Sequence, residues 1–301
     1  MTEAVLQGIL LGGHYAILAA GLSLMFGVMR IVNLAHGDLA ILGAYAVLML
    51  VERFEISPWW AIAWVLPAMA LLGMALQRWL FARTLRAGIL LPLLVTFGLG
   101  AVLQNGLYGV FGSEARSLGN AIGGLSWASW TLPGGIVVGQ LPVLTLGLAV
   151  AVLAGLQLML STTRLGRAIR AAASDPEAAA LSGVDPRQVH RAAAAIAVAL
   201  AGLAGSLLAM RALVEPYAGP VLLIQAFEAV VIGGIGSLWG TLLGGVLLGV
   251  AQSLGAMVSP QGFELAGHAL FLAVLGGRLW RQHRHAQGRP WLPALRLRRA
   301  A

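Results

Sequence analysis

The stretch VNLAHGDLA sets Asn33, His36, Gly37 and Asp38 between two long apolar runs. Ionisable and polar side chains at membrane depth are costly, so such residues are functional candidates by default. Three chemistries suit this spacing. In the first, Gly37-Asp38 begins a helix, with Asp38 as N-cap at a helix end that favours negative charge. In the second, a discontinuous helix lines a translocation path and turns its free N–H groups toward a carboxylate. The third is a proton relay through His36 and Asp38. Capping together with pathway lining ranks above either alone, and the relay ranks last.

Glu228 raises the same question further on, beside Gln225 and ahead of Gly233-Gly234-Ile235-Gly236-Ser237. A buried acid needs a partner or must be neutral, and the glycines permit close helix packing or a broken helix. Packing is the commoner use of such glycines. His14, Gln104, Asn105 and Tyr108 are weaker pathway candidates whose alternative role is interhelical hydrogen bonding. Glu264 and His268, at i and i+4, are expected to pair with each other.

The elements that must hold these residues follow from composition. The 301 residues have a mean hydropathy of +0.87, and only 10% are charged. Soluble domains carry about 25% charged residues. Backbone groups in lipid must be paired within the chain, and the apolar runs are too long for alternating barrel strands. The expected fold is therefore an all-α integral membrane protein, a polytopic bundle of about 8–10 segments. Candidate spans cover residues 4–29, 38–52, 58–79, 89–111, 138–161, 190–213, 219–235, 239–258 and 262–280. The second and seventh are short and glycine-flanked, so either is a candidate for a broken or re-entrant segment. Residues 1–280 then form one transmembrane domain and 281–301 a basic tail.

The first apolar run begins at Ala4 with no basic stretch before it, which predicts a retained span rather than a cleaved leader. With no cysteine, the chain has no disulfide framework or thiolate metal site, and nothing calls for a cofactor. The formal charge of +8 comes entirely from arginine clustered between or after apolar runs, which reads as orientation rather than nucleic-acid binding. Placing 163–191 in the cytoplasm and alternating outward puts sixteen arginines inside and only Arg53, Arg116 and Arg211 outside. The N-terminus is then outside and the C-terminus cytoplasmic. The outer segment 112–139, with Trp127 and Trp130, reads first as an interfacial anchor. The tail, with His283, His285 and its arginines, reads as a cytoplasmic anchor near anionic lipid.

The charged insert TRLGRAIRAAASDPEAAALSG, Thr163 to Gly183, interrupts this apolar chain. SDPE offers a helix start, with Ser174 or Asp175 as N-cap, Pro176 in the first turn and Glu177 completing a capping box with Ser174. Gly183 offers the stop. The product is a short, sharply bounded helix of about two turns, some 12 Å long, after an approach carrying Arg164, Arg167 and Arg170.

Within it, EAAALSG (Glu177, Ala178, Ala179 through Gly183) resembles the EAA-x-x-x-G loop of ABC importer permeases. Together with GLSLMFGVMRIVNLAHGDLAILGAY, Gly21 to Tyr45, and AFEAVVIGGIGSLWGTLLGGVLLG, Ala226 to Gly249, it makes the whole chain similar to the branched-chain amino acid ABC transporter permease family, specifically its smaller permease subunit. The resemblance implies a coupling helix that docks on an ATP-binding subunit through Arg164, Gly166, Arg167, Arg170, Asp175, Glu177, Ala178, Ala179 and Gly183. It also implies two cytoplasmic ATPase subunits, a second related permease, a periplasmic solute-binding protein and a small-molecule substrate, in a bacterial inner membrane. An ATP-driven importer needs no proton relay. The family includes urea and short-chain amide permeases, and Leu34 stands where phenylalanine is more usual, as does His14 where a small residue is expected, so the solute range is open to a shift. Independently, a Walker A loop needs a lysine and the chain has none, so it is not its own conventional ATPase. A stand-alone secondary carrier is the competing class. No H-E-x-x-H or glycine-flanked serine nucleophile supports an intramembrane enzyme.

Overall fold

A computed structural model describes residues 1–84, 88 and 90–287. Arg86, Arg289, Arg296, Arg298 and Arg299 of the orientation count lie outside the described residues, as do the side chains of His283, Arg284 and His285. Apolar runs become helices because only an internally bonded backbone tolerates lipid. These are α1 (Thr2–Met29), α2 (His36–Phe54), α3 (Pro58–Leu76), α5 (Leu90–Phe111), α6 (Gln140–Thr162), α9 (Pro186–Arg211), α10 (Gly219–Gly233), α11 (Leu238–Ala256) and α12 (Gly262–Gln287). Each coincides with one expected span. Among the described residues six of these segments, those of α1, α3, α5, α6, α9 and α11, are long and apolar enough to cross a membrane, while α2, α12 and the 15-residue α10 are not. α3 runs on through a π-helical turn, Gln77–Phe81, into the short α4 (Ala82–Thr84).

α1 and α9 form the centre, each with 83% of its apolar window buried, against 22–28% for the α3, α5 and α6 segments. α1 meets α11 by close approach: Gly8 of α1 lies against Gly249 and Val250 of α11, and Gly12 against Gly245 and Val246, with no room for a Cβ on either. In lipid, such small-residue contacts replace the hydrophobic drive to association. This register makes α1 and α11 antiparallel.

The two ends of the bundle are chemically distinct. At one end, the β-hairpin of β1 (Ser129–Leu132) and β2 (Ile136–Gly139) turns at Pro133-Gly134-Gly135, and Gln7 Nε2 donates to Val137 O at 3.2 Å. Trp127 and Trp130 on this segment are exposed, as the interfacial reading expects. At the other end lies the insert, whose Ile169, Ala172 and Ala179 share one buried cluster with Leu24, Met25, Val28 and Met29 of α1 and Val189, Ala193 and Ala194 of α9. Along α3, the exposed Trp60 stands near the hairpin face and the exposed Trp79 near the insert face. The nineteen residue steps from Trp60 to Trp79 span roughly 28 Å, close to the roughly 30 Å hydrocarbon thickness. The two tryptophans therefore stand about one hydrocarbon thickness apart along the helix.

Candidate functional site

The chain leaves α1 through Arg30, in the left-handed region at φ 55, whose N–H donates to Phe26 O at 2.8 Å. It then turns back into the bundle. His36, first residue of α2, places Nε2 3.0 Å from the carbonyl of Leu18. Leu18 is eleven residues, roughly 16 Å, from the end of α1. A carbonyl only accepts, so Nε2 carries the proton, and Nδ1 is left without a partner. Residues 31–35 thus lead back from the end of α1 to the level of Leu18, and α2 is a discontinuous helix that starts inside the bundle.

The start is built by Asn33. Its Oδ1 accepts from Ala35 N at 3.1 Å, its backbone carbonyl accepts from His36 N at 3.1 Å, and its Nδ2 points to Met25 Sδ at 3.9 Å. These bonds start the helix two residues before Asp38. The N-cap expected at Asp38 falls instead on Ala35, and Asp38 sits in the first turn. An acid there still benefits from the positive end of the helix.

α10 begins beside it. A Cβ on its first residue, Gly219, would overlap Asp38 Oδ1, and a Cβ on Gly37 would overlap Gly219 O. Two helix N-termini therefore meet at mid-depth with the Asp38 carboxylate between them. α5 closes the arrangement with Thr96, Gly100 and Gln104, at i, i+4 and i+8 on one face. Thr96 Oγ1 accepts from Leu34 N at 3.2 Å, Gly100 lies under Asp38 Oδ2, and Gln104 Nε2 donates to Asp38 Oδ1 at 2.9 Å. Thr96 was not visible as a site residue in the sequence, because a threonine in an apolar helix carries no mark of which neighbour it meets.

Asn33, His36, Gly37 and Asp38 are all buried and face protein in this arrangement. The polar surface continues outward from Gln104 instead. Tyr217 donates to Asn105 Oδ1 at 3.3 Å and stacks near Tyr108, with ring centroids 5.8 Å apart. Asn105, Tyr108 and Tyr217 are exposed.

Glu228 of α10 is buried, and Oε1 meets Nδ1 of His268 on α12. The expected Glu264–His268 pairing gives way to this contact, since the buried acid has the greater need of a partner. Glu228 Oε2 and the Nε2 of buried His14 have no partner among the described residues.

The insert folds as two helices, α7 (Arg164–Ser174) and α8 (Pro176–Leu181). Thr163 caps α7, its Oγ1 accepting from Gly166 N at 2.9 Å. Asp175 caps α8, Oδ1 accepting from Glu177 N at 3.1 Å and Ala178 N at 3.0 Å. The capping box with Ser174 does not form, because Ser174 is the last residue of α7. Gly183, at φ 84, ends α8 as expected: its N–H bonds Ala180 O, and Val184 N bonds Ala179 O, both at 3.0 Å.

The two sides of the insert differ. Gly166 packs on the backbone of Met159 and Leu160, and Ala179 is buried in the cluster that joins α7 to the end of α1 and the start of α9, so both hold the insert to the bundle. Arg164, Arg167, Arg170, Asp175, Glu177, Ala178 and Gly183 are exposed. Leu181, which the sequence motif did not single out, is 92% exposed at the tip of α8.

Residues 4–278 match the family model described as branched-chain amino acid transport system / permease component. The chain is 30% identical to the high-affinity branched-chain amino acid transport system permease protein BraD of Pseudomonas aeruginosa, over 91% of this chain and 92% of the relative. It is 29% identical to the LivH permease protein of Escherichia coli over the same shares. A shorter match, 36% identical over 44% of this chain and 40% of the relative, is to the fructose import permease protein FrcC of Rhizobium meliloti. No solved structure matches. The chain belongs to the branched-chain amino acid transport permease family, as a multi-pass membrane subunit of a larger transport system with no catalytic role of its own.

Proposed function

We propose that the chain carries branched-chain amino acids across a bacterial inner membrane, with the insert face cytoplasmic and the hairpin face periplasmic. The arginine distribution supports this orientation. The observation that carries the mechanism is Leu181, exposed on a helix closed at both ends and anchored through buried Ala179. In this reading α8 docks on one of two ATPase subunits through Leu181, Glu177, Ala178 and the arginines of α7. Ile169, Ala172 and Ala179 pass its movement to the end of α1. A periplasmic solute-binding protein delivers the solute to the hairpin face. A second permease completes the pathway opposite the lightly buried α5.

The pathway wall on this chain is the edge formed by Gln104, Asn105, Tyr108 and Tyr217. Asp38 stands behind it, holding the amide of Gln104 in place. ATP supplies work only through its different affinities for the two arrangements of the motor.

The test is purification of the tagged subunit from mild detergent, followed by uptake of radiolabelled leucine, valine, urea and fructose. Two ATPases and a second permease should co-purify, and the variant Leu181→Asp should lose only the ATPases. Leucine and valine uptake should exceed that of urea and fructose. A chain that purifies alone and transports without ATP would overturn the proposal.

A further inference from the structure

A cleft of about 680 Å³ opens at the insert face between the π-helical turn of α3 and the first turn of α9. Its wall carries Arg78, Arg83, Arg187 and Arg191 with His190, and Gln77 at its base. Among the described residues none of the four guanidinium groups has a hydrogen-bond or ion-pair partner in the structure. The one carboxylate in the wall, Asp185, is turned to the backbone, its Oδ1 accepting from Arg187 N at 2.9 Å. Gln77 is 2% exposed, and its Oε1 has no partner. A buried amide without a partner lacks a polar group that belongs there, and a side-chain amide can offer either its oxygen or its nitrogen after a flip.

The depth of the cleft selects the ligand. Arg78 is followed in the same π turn by Trp79, 63% exposed on a helix whose apolar window is only 28% buried. Tryptophan in that setting sits at headgroup level. The π turn inserts an extra residue per turn, which carries Gln77 to the α9 side while Trp79 stays on the lipid side. Arginine pairs bidentately with phosphate oxygens, and basic pockets between membrane helices hold anionic headgroups. We propose that this cleft binds the phosphodiester headgroup of an anionic phospholipid from the adjoining leaflet, with headgroup hydroxyls reaching Gln77. The lipid would tie α3 to the start of α9, directly after the turn that ends α8.

The assembled transporter in mild detergent is titrated with phosphatidylglycerol and, separately, phosphatidylcholine, and retained lipid is counted by native mass spectrometry. Phosphatidylglycerol is retained and phosphatidylcholine is not. Arg78→Gln with Arg191→Gln weakens retention roughly 25-fold, at about 1 kcal/mol or 5-fold per arginine. Arg78→Lys with Arg191→Lys keeps most of it. If the glutamine pair does not assemble, Arg187→Gln alone reads the same loss at roughly 5-fold. Unchanged retention in the glutamine variants overturns the site. Displacement by an equal concentration of inorganic phosphate makes it a free-anion site instead, and loss of the ATPase subunits with lipid retention intact assigns the cleft to the motor.

Discussion

Gln104 of α5 donates to the Asp38 carboxylate at 2.9 Å, across 66 residues of sequence, at the point where α2 and α10 both begin. The contact fastens a flanking helix to two helix starts at mid-depth. Gly219 is part of the same fit, since its missing side chain leaves the space that Asp38 occupies. Gly219→Ala should destabilise the subunit by about 1–3 kcal/mol, as overpacking does elsewhere. Thermal unfolding in detergent reads this directly. The double variant Gly219→Ala with Asp38→Gly should recover part of the loss, because it vacates the same space, though it leaves Gln104 without its acceptor.

The insert has a buried side, with Ile169, Ala172 and Ala179, and an exposed side, with Leu181. Leu181→Asp should leave folding unchanged yet lower leucine uptake about tenfold or more, the effect of removing one central apolar anchor. Ala179→Arg acts differently: it forces a charge into the buried cluster beneath the insert and should reduce the amount of folded subunit in the membrane. Asp175→Ala removes the acceptor for two N–H groups and should cost α8 about 1 kcal/mol. Equal loss of folded protein in Leu181→Asp and Ala179→Arg would contradict this division.

Glu228 and His268 should behave as a coupled pair. His268→Ala leaves a buried carboxylate without its partner, at a cost of about 1–3 kcal/mol. Adding Glu228→Gln should recover much of that cost, since a neutral amide tolerates burial better than an unpaired charge. A double-mutant cycle with additive losses would show that the contact contributes nothing.

Because the chain has no cysteine, single-cysteine variants report orientation without background. Ser182→Cys, on the exposed end of α8, should react with an impermeant maleimide only in inside-out vesicles. Ser113→Cys, exposed after α5, should react only from the cell exterior. The opposite pattern would invert the proposed topology.

Much of the architecture was legible in sequence because lipid imposes one strong rule: long apolar runs must be helices. All nine expected spans correspond to helices, and the short second and seventh are the two that begin inside the bundle. Asp175, Pro176 and Gly183 bounded α8 because capping and left-handed turns depend on neighbouring residues alone. Three-dimensional packing decided what local rules could not. It set the start of α2 at His36 through Asn33, gave His268 to Glu228 instead of Glu264, and placed Thr96 under Leu34. It also turned Gly166 and Ala179 inward while leaving Leu181 in solvent. Residue type and spacing determine which segments are helical and where they stop. Which polar group meets which partner depends on how helices cross, and that is set by contacts between residues far apart in the chain.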